Sequence, residues 1–485
     1  MRKFWKHALV WLCAAMVCFS CTGALAEFSP RYAELEKGEG MTVSLTGSLD
    51  SLSPLSKQSA AIVNEWLSHL EVLCSTGKST QAELKQDGQT IYALSVQKQS
   101  GYTLTTFFPS MGAYLTDPAG KDALSLLAGS PDFPDLTALP KVYAALAPAL
   151  YSKLAEFASP KLTKEPTSIK NAARSASYEN YTLKGDALND AWPQLLEAIL
   201  PVLETALEDQ PQWYARAEEL LENLEFSGEC RFKRFLDKEG QDMGMQFTGH
   251  AAQGEDKRKV TLFGGYTENK GGYLSLSLPA VSGKNNLKIT LAQQLTSKNS
   301  VNTLGLEGTY TRTMNGKTVS ASLDGTLKNS IKEDAEHWTG KMTLTRTENK
   351  IKSTWIFTPD LSFTGEGLAG KIGVQKKEGS KVTAKGTANI RLEAYRALTS
   401  PAAASAKDLR GLSEERARTA VMKELSPLSG AVAQLASALP EKDRTQLLHD
   451  LRTDEWMNGP VVPAAEQAAQ PAQEQDDSWV VEEEQ

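Results

Sequence analysis

The chain has 485 residues, of which 41% are hydrophobic and 23% charged, and a net charge of −7. That balance excludes a wholly disordered, collagen-like or coiled-coil protein. Five Cys and five His are too few for a disulfide-dense scaffold or a zinc array.

The first 26 residues read as a signal peptide. Arg2, Lys3 and Lys6 give a positive start, Ala8 to Ser20 an apolar run, and Ala24-Leu25-Ala26 the small residues of a cleavage site before Glu27. The run is too short to span a bilayer, and no later stretch approaches spanning length. These features predict a protein exported to the periplasm or beyond, with no transmembrane helix in the mature chain. The alternative, a lipid anchor on Cys21, has a suitable Ser20, but Phe19 and Cys18 do not fit. Cleavage after Ala26 leaves two cysteines, Cys74 and Cys230. They either form one disulfide or remain as two buried thiols.

Composition then divides the chain into 27–227, 228–395, 396–458 and a tail, 459–485. Their net charges are −11, +8, 0 and −7. In 27–227, Met41 to Leu49 alternates as a half-buried strand should. Ile62, Val63, Trp66, Leu67, Leu70 and Leu73 recur at helical spacing and predict about four turns. Gln81 to Phe108 reads as strands. Residues 133–158 read as a helix interrupted at Pro148. A strand over Tyr178–Lys184, a helix through Leu195 to Leu207 and a second helix from Pro211 precede further strands. A strand–helix–hairpin unit therefore occurs twice, with an acid-Gly-Gln turn in each copy (Asp87-Gly88-Gln89 and Glu239-Gly240-Gln241).

Residues 228–395 alternate apolar residues with Thr, Ser, Lys and Gln, and turn signals such as Asn315-Gly316 separate the runs. About ten antiparallel strands in a meander are expected. Residues 402–456 carry apolar stripes for helices that would cover that sheet. The tail, rich in Pro, Ala, Gln and acid, reads as disordered.

Motifs for chemistry are sparse. Ser75-Thr76-Gly77-Lys78 matches SxxK, but no SDN or KTG accompanies it; Gly77 reads as a helix stop. Gly365 to Gly370 matches GxGxxG, yet a strand pattern follows where a dinucleotide site needs a helix. The glycines suit a crowded crossing in a sheet. No His lies in metal-ligand spacing, and Glu333-Asp334-Glu336-His337 reads as a solvated turn. Trp338 and Trp355 could stack on a sugar but better suit a core.

The expected fold class is α+β: a large curved antiparallel β-sheet, about ten strands of it in 228–395, packed by amphipathic helices. In architecture alone this is similar to the half-barrel carriers of bacterial envelopes, which cup a lipid or lipoprotein tail. The expected function is an exported, non-catalytic cell-envelope protein binding an apolar ligand or an envelope component. Candidate ligand-binding residues are Trp66, Leu70, Trp192, Trp355 and Phe357. No catalytic residue, metal or cofactor is expected, and no nucleic acid. A protein partner would use the basic sheet or the acidic tail. The alternatives are a secreted adhesion or assembly module and an envelope-polymer hydrolase using carboxylates.

Overall fold

A computed structural model describes residues 28–36, 40–53, 55–77, 79–117, 123, 139–207, 211–253, 256–268, 270–280, 286–314, 317–333, 335–348, 350–364, 367–398 and 405–445. The expected signal peptide, Cys21, the Asn315-Gly316 turn and the acidic tail lie outside the described residues.

The elements run in chain order. Helix α1 (Pro30–Glu36) precedes β1 (Met41–Leu52) and α2 (Lys57–Ser68). Strands β2 (Leu70–Thr76), β3 (Thr80–Gln86), β4 (Gln89–Gln99), β5 (Tyr102–Phe108) and β6 (Ala113–Thr116) follow. Then come α3 (Leu139–Phe157), β7 (Lys161–Thr163), β8 (Ser177–Lys184), α4 (Gly185–Ala206) and α5 (Pro211–Glu222). The meander comprises β9 (Glu225–Leu236), β10 (Asp242–Gln253), β11 (Asp256–Thr267), β12 (Gly271–Pro279), β13 (Asn286–Lys298) and β14 (Val301–Met314). It continues through β15 (Lys317–Lys332), β16 (Ala335–Glu348), β17 (Ile351–Thr364), β18 (Gly367–Glu378) and β19 (Lys381–Ala394). A short β20 (Lys407–Asp408), α6 (Glu414–Met422), a 3-10 turn (Lys423–Leu425) and α7 (Ser426–Ala438) follow, and residues 441–445 are again helical.

All twenty strands belong to one sheet. From β7 through β19 each strand pairs antiparallel with the next in sequence. The sheet then returns to the N-terminus: β19 pairs antiparallel with β1, Met41 opposite Ala394 and Leu52 opposite Ala384. From β1 it proceeds through β2 to β6 and ends on the parallel β6–β20 pair. Both edges are short, three residues in β7 and two in β20.

This architecture corrects the expected class. The molecule is mainly β, with 57% of residues in strands and few helices, rather than α+β. The stripe expected to be one helix through Leu73 stops at Ser68, capped by His69, and Leu70 opens β2. Leu70, Val72 and Cys74 also alternate, and pairing with β1 claims them. Gly77 is consequently a strand-to-strand turn and not a helix stop. The helices after β19 are only 9 and 13 residues long. Helix α3 runs through Pro148 without interruption. A strand paired across intervening helices occurs in β1–α2–β2 and in β8–α4–α5–β9, where the strand before the helices pairs with the strand after them. The acid-Gly-Gln turns are not equivalent, since one joins β3 to β4 and the other β9 to β10.

Alternate residues of a strand share a face, and the registers carry one apolar face across the sheet. Helices α3 and α4 cover it over β8 to β12, in a core that includes Leu154, Leu188, Leu195, Phe232 and Phe247, with Leu262 and Leu274 packed against it. Helices α6 and α7 pack with Tyr92, Leu94 and Phe107 of β4 and β5. Val63 of α2 packs with Leu435 of α7, beside Leu49 of β1.

Helix α1 and the two residues before it cover the strands that join the two parts. Phe28, Tyr32 and Leu35 follow i, i+4, i+7 spacing and present one apolar stripe. Phe28 and Tyr32 are fully buried against a core running from Leu295 of β13 to Leu392 of β19. The Phe28 ring meets Trp338 edge-on at 5.2 Å. A polar latch holds this segment in place. The buried Glu336 carboxylate accepts from Ser29 Oγ, from the Arg31 backbone N–H at 3.0 Å and from Asn329 Nδ2 at 2.7 Å. Asn302 donates to the Phe28 carbonyl at 2.8 Å. A carboxylate beside a helix N-terminus also meets the favourable end of the peptide dipoles.

Glu336→Gln keeps the shape but puts a donor where acceptors are required. It is expected to cost about 1–3 kcal/mol in denaturant unfolding and to speed tryptic cleavage after Arg31.

Candidate ligand-binding face

The apolar face of β12 to β19 is covered unevenly. One cross-strand row runs Leu306, Gly325, Met342, Phe357, Val374, Gly386. Leu306, Met342, Phe357 and Val374 are buried in the core beneath α1. The next row runs Leu274, Leu291, Gly308, Leu323, Leu344, Trp355, Lys376, Ala384. The row beyond runs Leu276, Ile289, Tyr310, Ala321, Arg346, Ser353, Glu378. Here Leu276, Ile289, Tyr310, Ala321, Leu323, Leu344 and Trp355 are only half-buried. Contiguous apolar surface left partly open marks a binding surface more often than scattered single residues do.

Trp355 lies at the centre of this region. Its indole Nε1 is buried and has no hydrogen-bond partner among the described residues. Lys376, its direct cross-strand neighbour, sits with its Nζ 5.7 Å from the indole ring centre. The Lys376 side chain is only 7% exposed, and its ammonium donates to Glu378 at 3.0 Å. A lysine so deep on an apolar face is uncommon without pairing.

Of the five candidate residues, Trp355 and Phe357 are neighbours on one face of β17, half-buried and buried respectively. Leu70 opens β2, several strands away. Trp192 is a core residue: its Nε1 donates to the Leu221 carbonyl at 2.8 Å and its ring meets Phe226 edge-on. Trp66 lines an open cleft of about 300 Å³ between α2 and α7, with Ile62, His69 and Leu435. Its Nε1 is likewise buried without a partner. The structure thus brings two of the five together. Sequence reading missed Lys376, whose phase along β18 matches Ile372 and Val374.

The other sequence features fall to structural roles. Cys74 and Cys230 are free thiols, in β2 and β9, with eleven strands between them. Between the two alternatives the structure shows two free thiols, Cys230 buried and Cys74 half-buried. Burial pushes both above the usual thiol range, Cys74 to about 11. Ser75 of the SxxK string is buried and donates to the Arg396 carbonyl at 2.9 Å. Gly370 has φ +154°, and a Cβ there would lie 2.2 Å from the Asp360 carbonyl oxygen. The later glycines of the GxGxxG string therefore serve a crowded strand crossing. Glu336 is no solvated turn residue but the α1 latch. Trp338 is core, only 3% exposed. Among the described residues no group of His, Cys, Asp or Glu is arranged to hold a metal. No described helix is long and apolar enough to cross a membrane.

No family model and no curated protein matches the sequence. Among solved structures the chain is similar to in-vitro folded OmpT, an outer membrane protein of Vibrio cholerae. The identity is 7% and the TM-score 0.23, over 73% of this chain and 95% of that one. At that TM-score the likeness carries no argument.

Two predictions concern this region. When protonated, His69 donates from Nδ1 to Asp87 Oδ1 at 2.6 Å and from Nε2 to Glu65 Oε1 at 3.3 Å. Those contacts, Asp87 first, raise its pKa above 6.5. Protonation at this site therefore favours the folded state. The contribution is complete below the ordinary imidazole value and is lost as pH rises through the elevated folded value. An NMR titration is expected to place His69 above 6.5 and Asp87→Asn to lower it. Separately, alkylation should label Cys74 and Cys230 slowly in the native protein and rapidly, without a reductant, after unfolding.

Proposed function

We propose that this chain is an exported, non-catalytic protein of a cell envelope that holds an apolar ligand, lipid or acyl-chain-like, on the open rows of its sheet. The observation that carries the reading is the half-buried apolar patch around Leu323, Leu344 and Trp355, adjoining the rows covered by α1. A sheet that buries one half of a face under its own helix and leaves the other half partly open offers an alkyl chain a ready surface. Each buried methylene contributes about 0.8 kcal/mol. The signal-peptide pattern at 1–26 supports export. The sparseness of catalytic motifs supports a carrying role over a hydrolytic one.

The test is the mass of the protein purified gently from its native envelope, under native and then denaturing conditions. A lipid-sized excess in the native mass is expected, lost on denaturation and reduced by Trp355→Arg. Equal masses, with no lipid taken up on incubation with envelope extract, would overturn the reading.

A further inference from the structure

The ligand face holds two polar donors that its apolar surroundings do not explain. Trp355 Nε1 is buried with no partner, and leaving such a donor unsatisfied is costly. Lys376 stands directly opposite on β18, its side chain 7% exposed, and the structure gives its ammonium one hydrogen bond, to Glu378. An ammonium has three donors. Glu378 is 37% exposed and sits one row further out, next to solvent. The two donors belong to the same row as Leu323 and Leu344, so they lie at one end of an apolar strip rather than in a polar patch.

We propose that this corner is an anion site and that the ligand is an anionic amphiphile, a single-chain carboxylate or phosphate. Its head would be taken by Lys376 and the Trp355 N–H, and its chain would run over Leu344 and Leu323 toward Leu291. This rests on the apolar-ligand reading above and adds the charge of the ligand. The chemistry is complementary at both ends. An anionic oxygen supplies the acceptor that the indole lacks and a second partner for the ammonium, and charge-assisted hydrogen bonds are the stronger kind. Because the site is largely withdrawn from water, the attraction is screened less than at an open surface. A neutral alcohol of the same length would bury the same chain and offer these donors only an uncharged acceptor, which makes the weaker hydrogen bond.

The test compares palmitate with hexadecanol, which share a chain length and differ in head charge, using tryptophan fluorescence and native mass spectrometry at mildly alkaline pH. The full mature chain is used as wild type, Lys376→Met, Lys376→Arg and Trp355→Phe. The wild type is expected to bind palmitate about tenfold tighter or more than hexadecanol. Lys376→Met should abolish that preference, while Lys376→Arg should retain it. Trp355→Phe, read by mass spectrometry, should reduce it. Equal binding of the two ligands by wild type, or a preference that survives Lys376→Met, would overturn the anion site while leaving the apolar face in place. Failure of wild type to bind either ligand would overturn both. Because the wild-type comparison needs no variant, a poorly folding Lys376→Met protein would still leave the proposal decided.

Discussion

The antiparallel pairing of β1 with β19 is the contact on which the molecule depends. It joins residues more than 330 positions apart, from Met41 opposite Ala394 to Leu52 opposite Ala384. Without it the N-terminal strands and the meander would be two sheets, each with a long unsatisfied edge. The entropy of closing so long a loop grows only logarithmically with length, so one well-registered strand pair offsets it. The pairing also places Val43 and Leu45 beside Leu392 and Ile390, extending the apolar face without a break.

That continuity sets the problem the helices solve. A sheet this wide has far more apolar face than the described helices can shelter. Helices α3 and α4 take one end of the sheet and α2, α6 and α7 the other. The middle falls to a seven-residue helix, which could not hold its place by apolar packing alone. Glu336, Asn329 and Asn302 fix it by hydrogen bonds from three successive strands, and the cover ends where α1 ends. The open rows are thus the remainder of an incomplete cover, and Trp355 and Lys376 sit at its margin.

Much of the meander was legible because period-two alternation is an unambiguous signal when repeated in so many runs. The region expected to hold about ten strands contains most of β9 to β19. What failed was the weighing of helix against strand where both periods fit. Trp66, Leu67, Leu70 and Leu73 satisfy a helical stripe, while Leu70, Val72 and Cys74 satisfy a strand, and only the partner strand settles the matter. Helix α1 was overlooked although Phe28, Tyr32 and Leu35 carry its spacing, because a seven-residue stripe is weak evidence by itself. Glu336 was read with its charged neighbours Glu333 and His337. Its phase with Trp338 and Met342 along β16 was the signal that it points to the apolar side. Within the candidate site, Trp355 and Phe357 lie side by side on one face of β17. Lys376 was passed over, although its phase with Ile372 and Val374 along β18 puts it on the apolar side.

The sheet never closes on itself among its described pairings, and an unclosed sheet ordinarily invites other chains to add strands to it. Here the two ends are blunted. Strand β7 offers three residues, β20 offers two, and β20 runs parallel to its neighbour. A second molecule arriving at either end finds too few free backbone groups to set a register. A sheet twenty strands wide thus ends in edges that offer another chain little to pair with, which lowers the hazard of edge-to-edge polymerisation.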